Sequence, residues 1–281
     1  MAQFIANGVL YASVYMVYGV SFIVAFQFCK RFDVSLPAIG VVASYITFCI
    51  LPLAGLFAGL ALGLIVACLL GLFLQGIIYP RVASTVNSSL GGLLASLGSY
   101  IVLVNLLSFL FGDNRRSIRN WSVAEGHAIL GAKLTTIQLG IIAIGFIVVF
   151  VIWAFLRFSR QGKALRALAS NEELAAVLGL KTSFLYLVAM IIAAGTAGIA
   201  GLLRACDVDM TPNMGLYPYM MGVAAGVIGR LTMKGLVMSA FVLAFAQNLS
   251  VIWVSAKWQD PIAFVILLGV IFLRREELRI A

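Results

Sequence analysis

Between Pro37 and Tyr79 the chain is almost wholly apolar. One helix through that stretch would be about 65 Å long at ~1.5 Å per residue. The hydrocarbon core of a bilayer is only ~30 Å thick. The stretch is therefore expected to break, and Pro52 and Gly55 are the residues suited to breaking it. Two full passes or a re-entrant segment would both satisfy such a break. The remainder of the chain has the same character. Of 281 residues, 63% are hydrophobic and 10% charged, against about 45–50% and ~25% in soluble domains. A soluble globular fold is excluded, and so is disorder, which requires low hydrophobicity. The apolar runs are long and unbroken, unlike the short alternating strands of a transmembrane barrel.

The expected fold is an all-α polytopic membrane protein, a single transmembrane domain over 1–281 with about 8–9 helices. The apolar segments are 8–28, 36–53, 55–76, 89–111, 134–156, 183–205, 215–229, 235–255 and 260–273. Met1–Leu10 has no basic n-region, so a cleavable signal peptide is not expected. Lys and Arg collect in cytoplasmic loops. Placing 157–182 in the cytoplasm puts thirteen basic residues inside (Lys30, Arg31, Arg81, Arg157, Arg160, Lys163, Arg166, Lys181, Arg230, Lys234, Arg274, Arg275, Arg279). Six fall outside (Arg115, Arg116, Arg119, Lys133, Arg204, Lys257). This assignment puts the N-terminus outside and the C-terminus inside. The net charge of +9 is then topological. Nucleic-acid binding would need a basic face beyond the membrane, and no soluble segment is long enough to provide one. Asp33–Pro37 after the first span and Asp209–Asn213 after the sixth echo each other, as the halves of an inverted repeat do.

The segment 157–182 is the longest expected on the cytoplasmic side. Its Ala, Leu, Arg, Lys and Glu content favours helix. Ser170 with Glu173 has capping-box spacing, Glu172 and Glu173 suit the positive end of the helix that follows, and Gly179 is a natural C′ stop. Two short helices meeting near Ser170 are expected, with Leu165, Leu168, Leu174 and Leu178 facing one way. The pattern fits either an amphipathic loop on lipid headgroups or a docking helix, with Arg160, Lys163 and Arg166 followed by the acids.

The run Gly162-Lys-Ala-Leu-Arg-Ala-Leu-Ala-Ser-Asn-Glu-Glu-Leu-Ala-Ala-Val-Leu-Gly179 closely resembles the coupling region of permease subunits of branched-chain amino acid ABC transporters, in particular the first, shorter permease of the pair. Asn7-Gly8, Tyr15 and Gly19 resemble that family's first span. Tyr79-Pro80-Arg81, Ser96-Leu97-Gly98, Asn105 and Phe111-Gly112 resemble its middle. Ala194-Gly195, Ala197-Gly198, Ala200-Gly201, Pro212 and Gly215 resemble its second half. Two turns depart from the family pattern, Phe32–Pro37 and Gly229–Gly235, and both bear on which solute is carried. The resemblance implies a multi-pass permease of a bacterial-type cytoplasmic (inner) membrane. It implies a second related permease subunit, two cytoplasmic ATPase subunits and an extracytoplasmic solute-binding protein as partners. ATP and Mg would be bound by the ATPases and no cofactor by this chain. The coupling residues it implies are Arg160, Gly162, Lys163, Arg166, Ser170, Asn171, Glu172, Glu173 and Gly179. The solutes it implies are branched-chain or other amino acids, urea or short amides.

Within the spans, Gly55, Gly59 and Gly63 recur every four residues, Gly222 and Gly226 likewise, and Gly195, Gly198 and Gly201 every three. Small residues let helix backbones approach, either as static packing or as a sliding surface. Asn87, Ser96, Ser99, Asn105, Thr196, Gln247 and Asn248 are the candidates for a translocation path, with interhelical hydrogen bonding as their other use. Asp33, Asp207, Asp209 and Asp260 sit at span ends and read as solvated loop acids. Proton- and sodium-coupled carriers commonly bury ionisable groups. A stand-alone secondary transporter or channel is therefore the alternative that the sequence favours less. The chain also lacks a phosphate-binding G-x-x-x-x-G-K-[ST] loop. An intramembrane enzyme would need a constellation such as paired Asp, or Ser with His. The lone histidine, His127, lies in a loop, and the reading is not an enzyme.

Overall fold

The computed structural model describes residues 2–83, 88–118, 127–129 and 132–253. The span expected over 260–273, the C-terminus and Asn87 lie outside them.

Helix α1 (Ala2–Cys29) is the hub of the molecule. Its apolar window is 83% buried, whereas those of α4 (Ser88–Phe111) and α5 (Thr136–Phe158) are each 17% buried. Helices rich in apolar residues on all sides bury a face only where a neighbour meets it. Around α1 the neighbours are α5, α8 (Thr182–Asp207), α9 (Leu216–Ile228) and α10 (Met233–Trp253). Leu53, Phe57, Phe109 and Phe150 point outward on the periphery.

The long apolar stretch resolves into a helical hairpin. Helix α2 (Leu36–Phe73) is interrupted at Gly55, whose φ of 81° and ψ of 174° are open to glycine and strained for other residues. Pro52 lies one turn before. Gly63 packs on Ala43 O and Gly59 on Thr47 O. These two pairs share a midpoint at Leu53, so the arms run antiparallel. Thr47 Oγ1 closes the hairpin by donating to Gly59 O at 3.0 Å. The second arm continues through a π-turn (Leu74–Ile78) into α3 (Tyr79–Ala83). Gly55 was expected among the packing glycines, but no atom lies within 4 Å of where its Cβ would be. It serves as the break instead.

The other glycines of that set lie at close approaches. Gly198 faces Ala67 and Leu64, Gly195 faces Cys68 Sγ, and Gly201 meets the main chain of Gly40. Gly222 meets the backbone of Tyr15 and Gly19, and Gly226 meets the Phe22 ring.

Two segments depart from simple spans. Helix α9 has 13 residues, about 20 Å at ~1.5 Å per residue, too short to cross the core alone. The chain before it, 208–215, packs inward so that Gly215 sits on Pro37 O. The second departure is the α1–α2 turn. The Phe32 ring meets the Phe22 ring edge-on, with centroids 5.6 Å apart and planes at 62°, so the chain folds back along α1. Irregular backbone at such depth is tolerated when buried in protein. Asp33, Val34 and Ser35 of the α1–α2 turn and Met210, Pro212 and Gly215 of the 208–215 segment are buried, whereas Asp209 and Asn213 are exposed.

Among the described residues the fold is helical except for a small antiparallel hairpin, His127–Ile129 with Ala132–Leu134, in the loop before α5. Arg116 and Met210 tie the loops after α4 and α8 by a reciprocal backbone bridge.

Candidate functional site

Three places concentrate polar or exposed chemistry. The first is the corner built by α5, α6 (Arg160–Ser170) and α7 (Glu172–Val177). Ser159 ends α5 in an extended conformation, and its Oγ accepts from Gly162 N at 2.8 Å, capping α6. Gly162 is pressed against α5: a Cβ there would lie 2.4 Å from Phe155 O and 2.6 Å from Leu156 Cα. Leu165 and Leu168 are fully buried, while Arg160, Lys163 and Arg166 are exposed.

The cap of α7 is Asn171, not Ser170. Asn171 is extended (φ −155°, ψ 111°), and its side chain accepts from Leu174 N at 3.0 Å. Ser170 stays inside α6 and makes no capping box with Glu173. An asparagine oxygen caps as well as a serine hydroxyl, and the backbone turns one residue later than the spacing indicated. That turn also ends the expected continuous leucine face. Leu174 and Leu178 are exposed, together with Val177 at 83%. Glu172 is half-buried against the Tyr186 hydroxyl, and Glu173 is exposed. Gly179 has φ 81° and closes a Schellman motif, with Leu180 N donating to Ala175 O and Gly179 N to Ala176 O.

The second place is a buried polar cluster that sequence reasoning missed. Asp33 is fully buried rather than a solvated loop acid. Its carboxylate accepts from Ser35 N at 2.9 Å, Ser35 Oγ at 2.7 Å and the Tyr79 hydroxyl at 2.9 Å. Tyr219 Oη donates to Asp33 O at 2.5 Å. Ser96 Oγ accepts from Val34 N at 3.2 Å and donates to Phe32 O at 3.3 Å. Arg31 stacks over the Tyr79 ring at 3.8 Å and donates to Gln75 in the π-turn. The folded-back α1–α2 turn is thus tied to three helices, and the buried carboxylate is stable because donors surround it.

The third place is a cavity of about 190 Å³ lined by Tyr11, Val14, Tyr15, Arg204, Tyr217, Pro218 and Gln247. Tyr15 Oη donates to Gln247 Oε1 at 2.8 Å, and Gln247 Nε2 donates to the Tyr217 hydroxyl. Of the polar path candidates among the described residues, Gln247 alone lines this cavity. Ser96 belongs to the Asp33 cluster. Ser99, Asn105, Thr196 and Asn248 each donate to a carbonyl one turn back in their own helix. Asn105 is exposed on α4, and Thr196 and Asn248 are buried. The structure does not gather these four into one lining.

Residues 4–273 match the family described as branched-chain amino acid transport system / permease component. The chain belongs to this family. The branched-chain amino acid permease LivH of Escherichia coli K12 is 25% identical over 285 residues, covering 95% of this chain and 91% of that protein. The permease BraD of Pseudomonas aeruginosa is 21% identical, covering 97% and 93%. A chain of the solved structure of PsaBC from Streptococcus pneumoniae in complex with Fab shares the fold, with TM-score 0.53 at 15% identity over 96% of this chain and 91% of that one. The chain is thus a multi-pass membrane permease of an ABC importer. The departures expected at Phe32–Pro37 and Gly229–Gly235 are both well-formed turns here. In the second, Arg230 and Leu231 adopt φ 56°, and Leu231 O accepts from Gln27 Nε2 at 2.8 Å.

Proposed function

We propose that this permease moves branched-chain or related small amino acids across a bacterial cytoplasmic membrane as one of two related permease subunits. An extracytoplasmic binding protein delivers the solute at the end of the molecule where α8 finishes. Two ATPase subunits engage the α6–α7 corner on the cytoplasmic face. The observation that carries this reading is the form of that corner in a member of this family. Its inner side is clamped to α5 by Gly162, Leu165 and Leu168. Its outer side presents the apolar residues Leu174, Val177 and Leu178 beside exposed basic residues. An exposed apolar cluster with a polar rim is the anatomy of a protein-docking surface. A stiff lever on bistable helix packing can pass a nucleotide-driven motion to the spans.

Purification in mild detergent tests the reading directly: a second permease and an ATPase are expected to come with the chain. Val177→Asp with Glu173→Lys changes only exposed positions. It should abolish ATP-driven uptake in vesicles while leaving expression and melting temperature unchanged. Accumulation of solute by the isolated chain on an ion gradient alone would contradict the proposal.

A further inference from the structure

We infer that the end of α5 is a binding site for one anionic phospholipid, whose headgroup is held by Arg157 and Arg166 beside the rings of Trp153 and Phe158. The assignment of this end to the cytoplasmic leaflet rests on the permease reading above. The site itself is separate from the solute path.

Arg157 lies in the last turn of α5. Its guanidinium carbon is 5.3 Å from the centre of the Trp153 ring and 5.8 Å from that of Phe158, both within cation–π reach. The two rings meet edge to face with centroids 6.1 Å apart. They hold the guanidinium at the helix end. From α6, Arg166 reaches back, its Nη2 lying 3.4 Å from Arg157 O. Both arginines are exposed, and Phe158 is 68% exposed. Neither guanidinium has a carboxylate partner among the described residues. The sequence explains why: no Asp or Glu occurs between Glu125 and Glu172, and Glu172 is turned to Tyr186. Ring contacts and one carbonyl leave most of the five donors of each fork open. A phosphate is the acceptor that such forks match.

The acyl chains of the ligand also have a place. Ile147 and Phe150 are exposed on α5 and share a face with Arg157, at spacings of three and seven residues. From Arg157 to Ile147 is about 15 Å at ~1.5 Å per residue, half the ~30 Å hydrocarbon core. The strip is thus one leaflet long, charged at headgroup depth and apolar below it. An ATPase outside the bilayer would leave Ile147 and Phe150 bare. A second permease covering the strip would bury two unpaired guanidinium groups, which is costly. A phospholipid satisfies both ends. The adjoining cations favour a headgroup of net negative charge, because a zwitterionic one brings an ammonium that they repel.

The test is native mass spectrometry of the purified permease complex in detergent. The probes are dioleoyl-phosphatidylglycerol, dioleoyl-phosphatidylcholine and inorganic phosphate. The first phosphatidylglycerol should bind about ten-fold more tightly than phosphatidylcholine, the order expected for two arginines near an anionic headgroup. Arg157→Gln with Arg166→Gln should abolish that preference. Lys181→Gln with Lys234→Gln removes the same charge from other exposed positions and should leave it intact. Equal affinity for the two lipids in the unmodified complex would overturn the inference and needs no variant to fold. An equal loss in the lysine pair would overturn it too, by showing diffuse attraction in place of a site. Displacement of the lipid by inorganic phosphate would reduce the site to one for free anions and overturn the lipid assignment. ATP-driven uptake in vesicles is read separately. Its absence would sink the permease reading, whereas uptake without any lipid preference would sink this inference alone.

Discussion

Gly162→Ala is the sharpest perturbation the structure offers. The added Cβ would lie 2.4 Å from Phe155 O, 2.6 Å from Leu156 Cα and 2.7 Å from Leu156 O. Carbon contacts are comfortable at about 3.5–4.0 Å, so α6 must retreat from α5 by ~1 Å. All three opposing atoms are main chain, and no rotamer change can absorb the overlap. Overpacking of this kind costs about 1–3 kcal/mol. The retreat also draws Leu165 and Leu168 from full burial and shifts α7 relative to the spans. Thermal melting of the complex in detergent should fall accordingly. ATP-driven uptake in vesicles should drop at least ten-fold, because the lever no longer tracks α5. Gly140→Ala in α5 is the control: its Cβ meets open space, and Ala is favoured over Gly in a helix by about 0.5–1 kcal/mol. Gly162→Ala with melting and uptake equal to the unmodified protein would refute the close packing of this corner and the transmission argued from it.

Asp33→Asn leaves one oxygen for Ser35 and sets an amide nitrogen where the second carboxylate oxygen accepts from the Tyr79 hydroxyl. A loss of about 1–3 kcal/mol is expected, read as a lower melting temperature in detergent. No change in melting would show that the cluster is not holding the α1–α2 turn. Asn171→Ala should cost ~1 kcal/mol of local stability and raise amide exchange in α7, whereas Ser170→Ala should leave exchange there unaltered. The reverse pattern would return the cap to Ser170.

Some features were legible because their causes are local. The helical hairpin of α2 follows from an apolar run too long for one pass, with Pro52 and Gly55 inside it. The end of α7 follows from Gly179, the residue that tolerates positive φ. The α6–α7 junction was visible from its composition, but its cap was misplaced by one residue, since Ser170 and Asn171 are both capping residues. Only the direction of the backbone chooses between them. The leucine face failed for the same reason: a periodicity carried across a turn assumes one helix axis where there are two.

The amino-acid sequence by itself determined a membrane-embedded helical chain, its breaks and its permease lineage, because hydrophobicity, backbone freedom and a specific motif act within a few residues. Tertiary structure decided which polar groups matter. Asp33 meets Tyr79 across 46 positions and Tyr219 across 186, and Tyr15 meets Gln247 across 232. Whether a carboxylate is solvated or enclosed, and whether an arginine marks a membrane face or lines a cavity, depends on which distant helices close around it.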